Sequence, residues 1–249
     1  MLGLGASGSA VKLFEPNDIS SCVLAFHAST GVSFTNDSGT LFVDSWADQA
    51  GTLSNGSRIF ATNVGTKRPV FDSQDPKLTF DGSNDRLDLN EADGTDVEIT
   101  LNTELGFTLL AVYTSSDWSA GNEAIFGDPD NSQNFFRHKP GTPNQFEVKI
   151  NNNVKRFDLN NPSTLTNNRF HSVMLTASAG STSTLTCYID GIAQSDTETI
   201  NSDNDMIIEQ LAAKGSSESL GGAIKHIVVY NKELHSSERE LLRIWHSYM

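Results

Sequence analysis

Basic residues are scarce in this chain. Seventeen Lys and Arg against 31 Asp and Glu leave a formal net charge of −14 over 249 residues. A nucleic-acid backbone needs a basic footprint, and an anionic bilayer surface needs clustered cations, so both partners are excluded. Long apolar runs are missing as well, and no window approaches the roughly 20 residues of a membrane-spanning helix. The stretch from Met1 to Phe14 has neither a basic start nor a continuous apolar segment, so no secretory leader is expected. Cysteine is reduced to Cys22 and Cys187. Each lies in an apolar alternating run and reads as a small reduced core residue; a disulfide is the alternative if their strands are neighbours.

Catalytic signatures are lacking too. The six histidines (His27, His138, His171, His226, His235 and His246) form no H-E-x-x-H, and no Cys/His group has zinc spacing. There is no G-x-S-x-G and no phosphate-binding loop of the Walker type. Gly3, Gly5 and Gly8 match G-x-G-x-x-G, but no strand precedes them, which removes the dinucleotide reading. Glycoside hydrolysis needs two carboxylates flanking one bond. Glu91, Asp93 and Glu98 instead lie in an acidic loop, and Glu238 and Glu240 on a helix. The chain is therefore expected not to be an enzyme.

What is present is turn and strand chemistry. Only 19% of residues are charged, and Ser, Thr, Asn and Gly dominate the polar remainder. The stretch KLTFDGSNDRLDL from Lys77 to Leu89 reads as two alternating runs joined by a polar turn, which predicts a hairpin. FTLLAVY from Phe107 to Tyr113 is apolar on both faces and predicts a central strand. Further strands are predicted at Cys22 to Ala28 (with Cys22, Leu24, Phe26 and Ala28 on one face), Leu41 to Trp46, Ala124 to Phe126, Arg169 to Ala177, Thr184 to Ile189 and Gly222 to Tyr230. A hairpin is expected across Asn151-Asn152-Asn153, and Asp190-Gly191 is a hairpin turn pair. Residues 29–40 and 52–69 read as turn and loop. Ser237 and Glu240 fit a capping box, and Leu241, Leu242, Trp245 and Tyr248 share one helical stripe. Short strands separated by frequent turns predict an all-β sandwich in one domain, residues 15–249, with a short C-terminal helix. Residues 1–14 form a Gly/Ser-rich N-terminal arm in which Leu2, Leu4, Val11, Leu13 and Phe14 can bury against a partner.

Three segments carry a resemblance. LTFDGSNDRLDL (78–89), FHSVML (170–175) with LTCYIDG (185–191), and GGAIKHIVVYN (221–231) with Leu234 and SERE (237–240) resemble the recurrent strands and closing helix of the concanavalin A-like, laminin-G-type jelly roll. The lead-in EPNDI (15–19), VLAFHAS (23–29), VDSWAD (43–48) and Arg68-Pro69 is similar to that of laminin-G-like proteins of bacteriophage particles and some bacterial surface proteins. Phe26-His27 stands where that lead-in carries Leu-Asp.

The resemblance implies a jelly-roll β-sandwich and, as the best inorganic candidate, calcium held by loop oxygens at Asp81, Asn84 and Asp85, with Asp128/Asp130 and Asp203/Asp205 as further pairs. All of these residues also serve ordinary turns. No other cofactor is expected. The first functional expectation is a non-enzymatic structural protein of a bacteriophage virion, assembled in the host cytoplasm. It would be a capsid decoration or tail-associated protein held by the arm to other virion proteins, with self-association into a homo-oligomer or docking through a sandwich face. The alternative is a carbohydrate-binding module for a host surface glycan. A sugar is held by an exposed aromatic ring beside amides and carboxylates, and Trp118 with Asp117 and Asn122 is the candidate, followed by Trp46.

Overall fold

The computed structural model describes residues 14–51, 57–63, 65–119, 121–129, 133–141, 144–215 and 218–247. The strand Phe107–Ser115 lies at the centre of one layer, and all nine of its residues are buried. His171–Ala177 pairs with one side of it and Gly221–Tyr230 with the other, both antiparallel. Alternation then splits its side chains between two apolar clusters. Phe107, Leu109, Ala111 and Tyr113 face the main core, while Leu110 faces a smaller cluster on the layer's outer side.

This layer continues through Thr182–Ile189 and Ile192–Asn201, joined by the expected turn with positive φ at Asp190 (50°) and Gly191 (80°). On its other flank, Gly221–Tyr230 pairs with Cys22–His27 along one half and with Lys77–Asp81 along the other. The second layer runs Asn153–Asp158, Gln145–Ile150, Phe135–Lys139, Glu123–Gly127, Gln210–Leu211, Leu87–Glu91, Ile59–Asn63, Thr40–Ala47, Val32–Asp37. The result is an all-β jelly-roll sandwich. A separate two-stranded sheet, Ile99–Asn102 with Asp205–Ile208, adds Leu101, Met206 and Ile208 to the core. The predicted Asn turn is present, with Asn151 (φ 43°) and Asn152 (φ 67°) connecting Gln145–Ile150 to Asn153–Asp158.

The hairpin expected at Lys77 to Leu89 does not form. Both strands exist, but Lys77–Asp81 pairs with Val70–Asp72 and Gly221–Tyr230, whereas Leu87–Glu91 pairs with Ile59–Asn63 and Gln210–Leu211. The polar connection carries the chain from one layer to the other. Residues 29–40, expected as turns, contain the strand Val32–Asp37, and the expected loop at 52–69 contains the strand Ile59–Asn63. Cys22 also leaves its predicted face. The register against Gly221–Tyr230 slips between Cys22 and Leu24, so Leu24, Phe26 and Ala28 enter the main core while Cys22 packs on the outer cluster. Both cysteines are free.

An α-helix, α1 (Ser236–Ser247), lies over that outer cluster through Leu242 and Trp245. Its start differs from the expected capping box: Glu238, two positions before Glu240, accepts the His235 amide at 3.0 Å on its carboxylate. Leu241 is 43% exposed and lies off the buried stripe. Tyr248 lies outside the described residues.

Candidate functional site

The loop following the central strand carries Asp117, Trp118 and Ser119. Asp117 accepts both the Ser119 amide (2.9 Å) and the Ser119 hydroxyl (2.6 Å), which closes a tight turn. That turn drives Trp118 inward between the layers. Its indole N–H donates to the Thr166 carbonyl at 3.1 Å, and its amide donates to Asn167 Oδ1 at 3.1 Å. Its ring packs at 5.2 Å from Tyr113, 5.0 Å from His138 and 5.9 Å from His171. Trp118 is 4% exposed, so the expectation of an open stacking surface is corrected: the ring fills the end of the sandwich. Trp46 is likewise fully buried, its indole donating to the His27 carbonyl. Asn122 turns to Glu218 at 3.5 Å and does not join Asp117.

Above Trp118 the loops leave an open groove of about 520 Å³, bordered by Asp117, Ser119, Pro140, Asn144, Leu165 and Asn167. Asp117 is the one acid among the described residues bordering it. His138, beneath it, shares a 2.6 Å hydrogen bond with Asn144 Oδ1, and burial pushes its pKa down to about 4. His171 Nδ1 pairs with Asp190 Oδ2 at 2.8 Å. Burial raises the Asp190 carboxyl, but the His171 ring and the Ser172 amide outweigh it and hold it below the usual range.

Two deeper polar assemblies are not legible in the sequence. Glu123 is 6% exposed; burial pushes it up to about 7, and its Oε1 accepts the Gly221 amide at 3.2 Å. Its Oε2 and the Tyr113 hydroxyl have no hydrogen-bond partner among the described residues. Nearby, Arg137 is clamped between Glu147 and Glu218 and lies 4.5 Å over the Phe135 ring. Arg156 adds a 2.6 Å contact to Glu147. Arg137, Glu147 and Arg156 are register partners across three strands, so this row alternates in charge along the sheet. Glu147 and Glu218 are therefore committed to cations.

The residues raised for calcium organise the layer crossing. Asp81 Oδ1 accepts the amides of Ser83 (2.8 Å), Asn84 (3.1 Å) and Asp85 (3.3 Å), and Asp85 Oδ2 accepts the Asp81 amide at 3.0 Å. Asp85 is buried and pushed up to about 6, first by desolvation and then by the Asp81 charge. Carboxylates already accepting backbone amides have fewer lone pairs to offer a cation. Among the described residues no three His, Cys, Asp or Glu are grouped to hold a metal ion. Asp130 lies outside the described residues. So do the arm residues Leu2, Leu4, Val11 and Leu13. Phe14, the one arm residue described, is half-buried against this chain's own outer cluster.

A two-layered jelly roll with an amide-rich loop groove defines a lectin-like domain. The family model described as the concanavalin A-like lectin/glucanases superfamily matches residues 81–238, more than half of the chain, and the chain belongs to that family. The binding domain of botulinum neurotoxin serotype D superposes with TM-score 0.57 at 13% identity, covering 92% of this chain and 52% of that one. A Trypanosoma rangeli sialidase superposes at 0.55 with 16% identity, over 91% of this chain and 33% of that one. The binding domain of botulinum neurotoxin DC, in complex with rat synaptotagmin II, gives 0.51 at 14% identity, over 93% and 52%. The chain thus spans about half or less of the length of these structures, and the likeness is one of fold. No curated protein matches the chain.

Proposed function

We propose that this chain is a non-enzymatic recognition domain that binds a carbohydrate, with the loop groove above Trp118 as its contact surface. One observation supports the reading most directly: Asn144, Asn167, Ser119 and Asp117 line the mouth of that groove, a set of short donors and acceptors without a cation. Such groups match the hydroxyls of a neutral sugar, and membership of a lectin-containing family points the same way. Binding at a shallow polar groove is weak per site, so several copies on one surface would supply avidity. Display on a bacteriophage particle is the setting we favour, because EPNDI (15–19) and the segments after it resemble the lead-in of such proteins. A glycan array with the full chain, read with and without calcium and repeated with Asp117→Ala and Asn144→Ala, tests the binding function. Hits that both variants lose support it; a blank array overturns it. Quantitative mass spectrometry of purified particles tests the setting.

A further inference from the structure

The margins of the sandwich are finished in two different ways. On one side Asn153–Asp158 lies against Ile192–Asn201 of the other layer. Side chains bridge them: the Asp158 amide donates to Asp196 Oδ2 at 2.9 Å, the Ser195 amide to Asn160 Oδ1 at 2.9 Å, and Lys155 pairs with Glu198 at 3.7 Å. That margin is charged and bridged, as sheet edges usually are where pairing with other chains is avoided. Val32–Asp37 has neither device. Among the described residues it pairs with Thr40–Ala47 alone, in a hairpin turned by Ser38 (φ 53°) and Gly39 (φ 95°). No described strand pairs with its other edge. Five of its six residues are exposed. The run from Ser29 to Asn36 holds no charged residue and no proline, in a chain of net charge −14.

The side chains along this edge complement themselves. Val32 and Phe34 stand opposite the buried Trp46 and Val43, which puts them on the core side of the layer. Ser33 and Thr35 face outward and bond within the sheet, Ser33 sharing a 2.8 Å hydrogen bond with Ser45 and Thr35 donating to Asp44 at 2.8 Å. Phe34 is 43% exposed, and its ring lies 5.4 Å from that of Phe71, itself only half-buried against the main core. Two aromatic rings therefore carry the core out to solvent at this margin. An open strand edge is filled by another strand, and an exposed phenyl ring by another apolar group. A second copy of the chain supplies both. In an antiparallel pair about a twofold axis, residues directly opposite share a face of the sheet. Centring the pair on Phe34 sets that ring against its twin, Val32 against Asn36, and Ser33 against Thr35. Asp37 then stands opposite Gly31, so no acid meets an acid, a condition that a partner with the same −14 charge imposes. We infer that Val32–Asp37 is a self-association edge, through which two copies of this chain pair antiparallel about Phe34 and join their second layers into one sheet. A contact of one short strand is weak on its own. The inference goes beyond the carbohydrate reading and does not rest on it.

Sedimentation velocity of the full chain, from micromolar to millimolar concentration, tests the pairing. The wild type is expected to pass from monomer to dimer as concentration rises. Phe34→Lys, which places a charge at an exposed edge position, is expected to stay monomeric with an unchanged circular dichroism spectrum. Oxidative crosslinking reads the register and keeps the test open if the lysine variant fails to fold. Phe34→Cys should crosslink, because opposite Cα atoms at the axis lie about 5 Å apart. Asp37→Cys should not, because its twin lies ~20 Å away along the strands. The wild type, whose Cys22 is half-buried and Cys187 buried, is the blank. A monomer at every concentration overturns the inference and leaves the edge for a strand of another protein. A dimer that Phe34→Lys leaves intact overturns it too, as does equal crosslinking of the two cysteine variants.

Discussion

His27 and His226 stand directly opposite each other in the register of Cys22–His27 and Gly221–Tyr230, with ring centroids 4.4 Å apart and Trp245 packed against both. Burial holds both rings below the ordinary histidine pKa, and for His226 the charge of a protonated His27 adds to that effect. Two imidazoles this close, under a tryptophan, are stable only as neutral rings.

Acid should therefore unfold the domain. Unfolded histidines titrate near 6.5, while His138 in the folded chain titrates near 4. Between those values the unfolded state binds more protons, so the stabilisation is complete above about 6.5 and is lost as pH falls towards 4. For the fully buried His138 the loss is on the order of 1.4 kcal/mol per pH unit. Urea denaturation at stepped pH should show this limb, and His138→Leu should flatten it. An unchanged slope would remove His138 from the account.

Glu123 has the opposite sign. Its folded pKa of about 7 lies above the ordinary glutamate value of 4.5, so its contribution is complete below 4.5 and lost as pH rises through 7. Glu123→Gln should raise the melting temperature at pH 8 and leave it nearly unchanged at pH 4.5, checked by calorimetry.

Trp118→Ala should cost about 3–5 kcal/mol, because it empties a ring site wedged between Tyr113, His138 and His171. Equilibrium denaturation would measure it. A variant of native stability that had lost only glycan binding would contradict the inward placement of the ring.

Gly222 allows no side chain. A Cβ there would lie 1.9 Å from the Thr114 carbonyl oxygen of the neighbouring strand, and strand backbone cannot retreat without breaking the ladder. Gly222→Ala is expected to yield no soluble folded protein. Gly39→Ala, at a turn tip with nothing within 4 Å, should be mildly destabilising through its positive φ alone. Expression and circular dichroism of the pair separate the two causes.

Asp81→Ala should cost about 1–3 kcal/mol by releasing three backbone amides. The loss should be the same in calcium and in EDTA. A melting temperature that rises with calcium only in the wild type would restore the cation reading of this turn.

Local chemistry made part of this molecule readable from its sequence. Asn151-Asn152 and Asp190-Gly191 announce turns because their positive φ is a property of a few adjacent residues. The central strand is visible because its two faces bury against different clusters, and both must be apolar. Partner choice is another matter. Nothing near Lys77 or Leu87 records that their strands pair in different layers, since the alternation is the same in either case. Val32–Asp37 is hard to read from sequence because the strand is exposed over most of its length and its alternation, Val32 and Phe34 against Ser33 and Thr35, is only two repeats long. The loop groove was half visible: Asp117 and Trp118 are at the right place, but which way the ring points is decided by Thr166 and Asn167, nearly 50 residues on. His27, His226 and Trp245 meet only through the completed sheet and α1, so no spacing could reveal them.

The pairing of Cys22–His27 with Gly221–Tyr230, pinned by the Tyr230 hydroxyl on the Pro16 carbonyl at 3.0 Å, bears on how the protein is made. During synthesis the first strand leaves the ribosome with no mate, and its mate emerges some 200 residues later. The sheet can therefore close only after residues 221–230 have emerged, and a stop before residue 221 leaves Cys22–His27 without this partner strand.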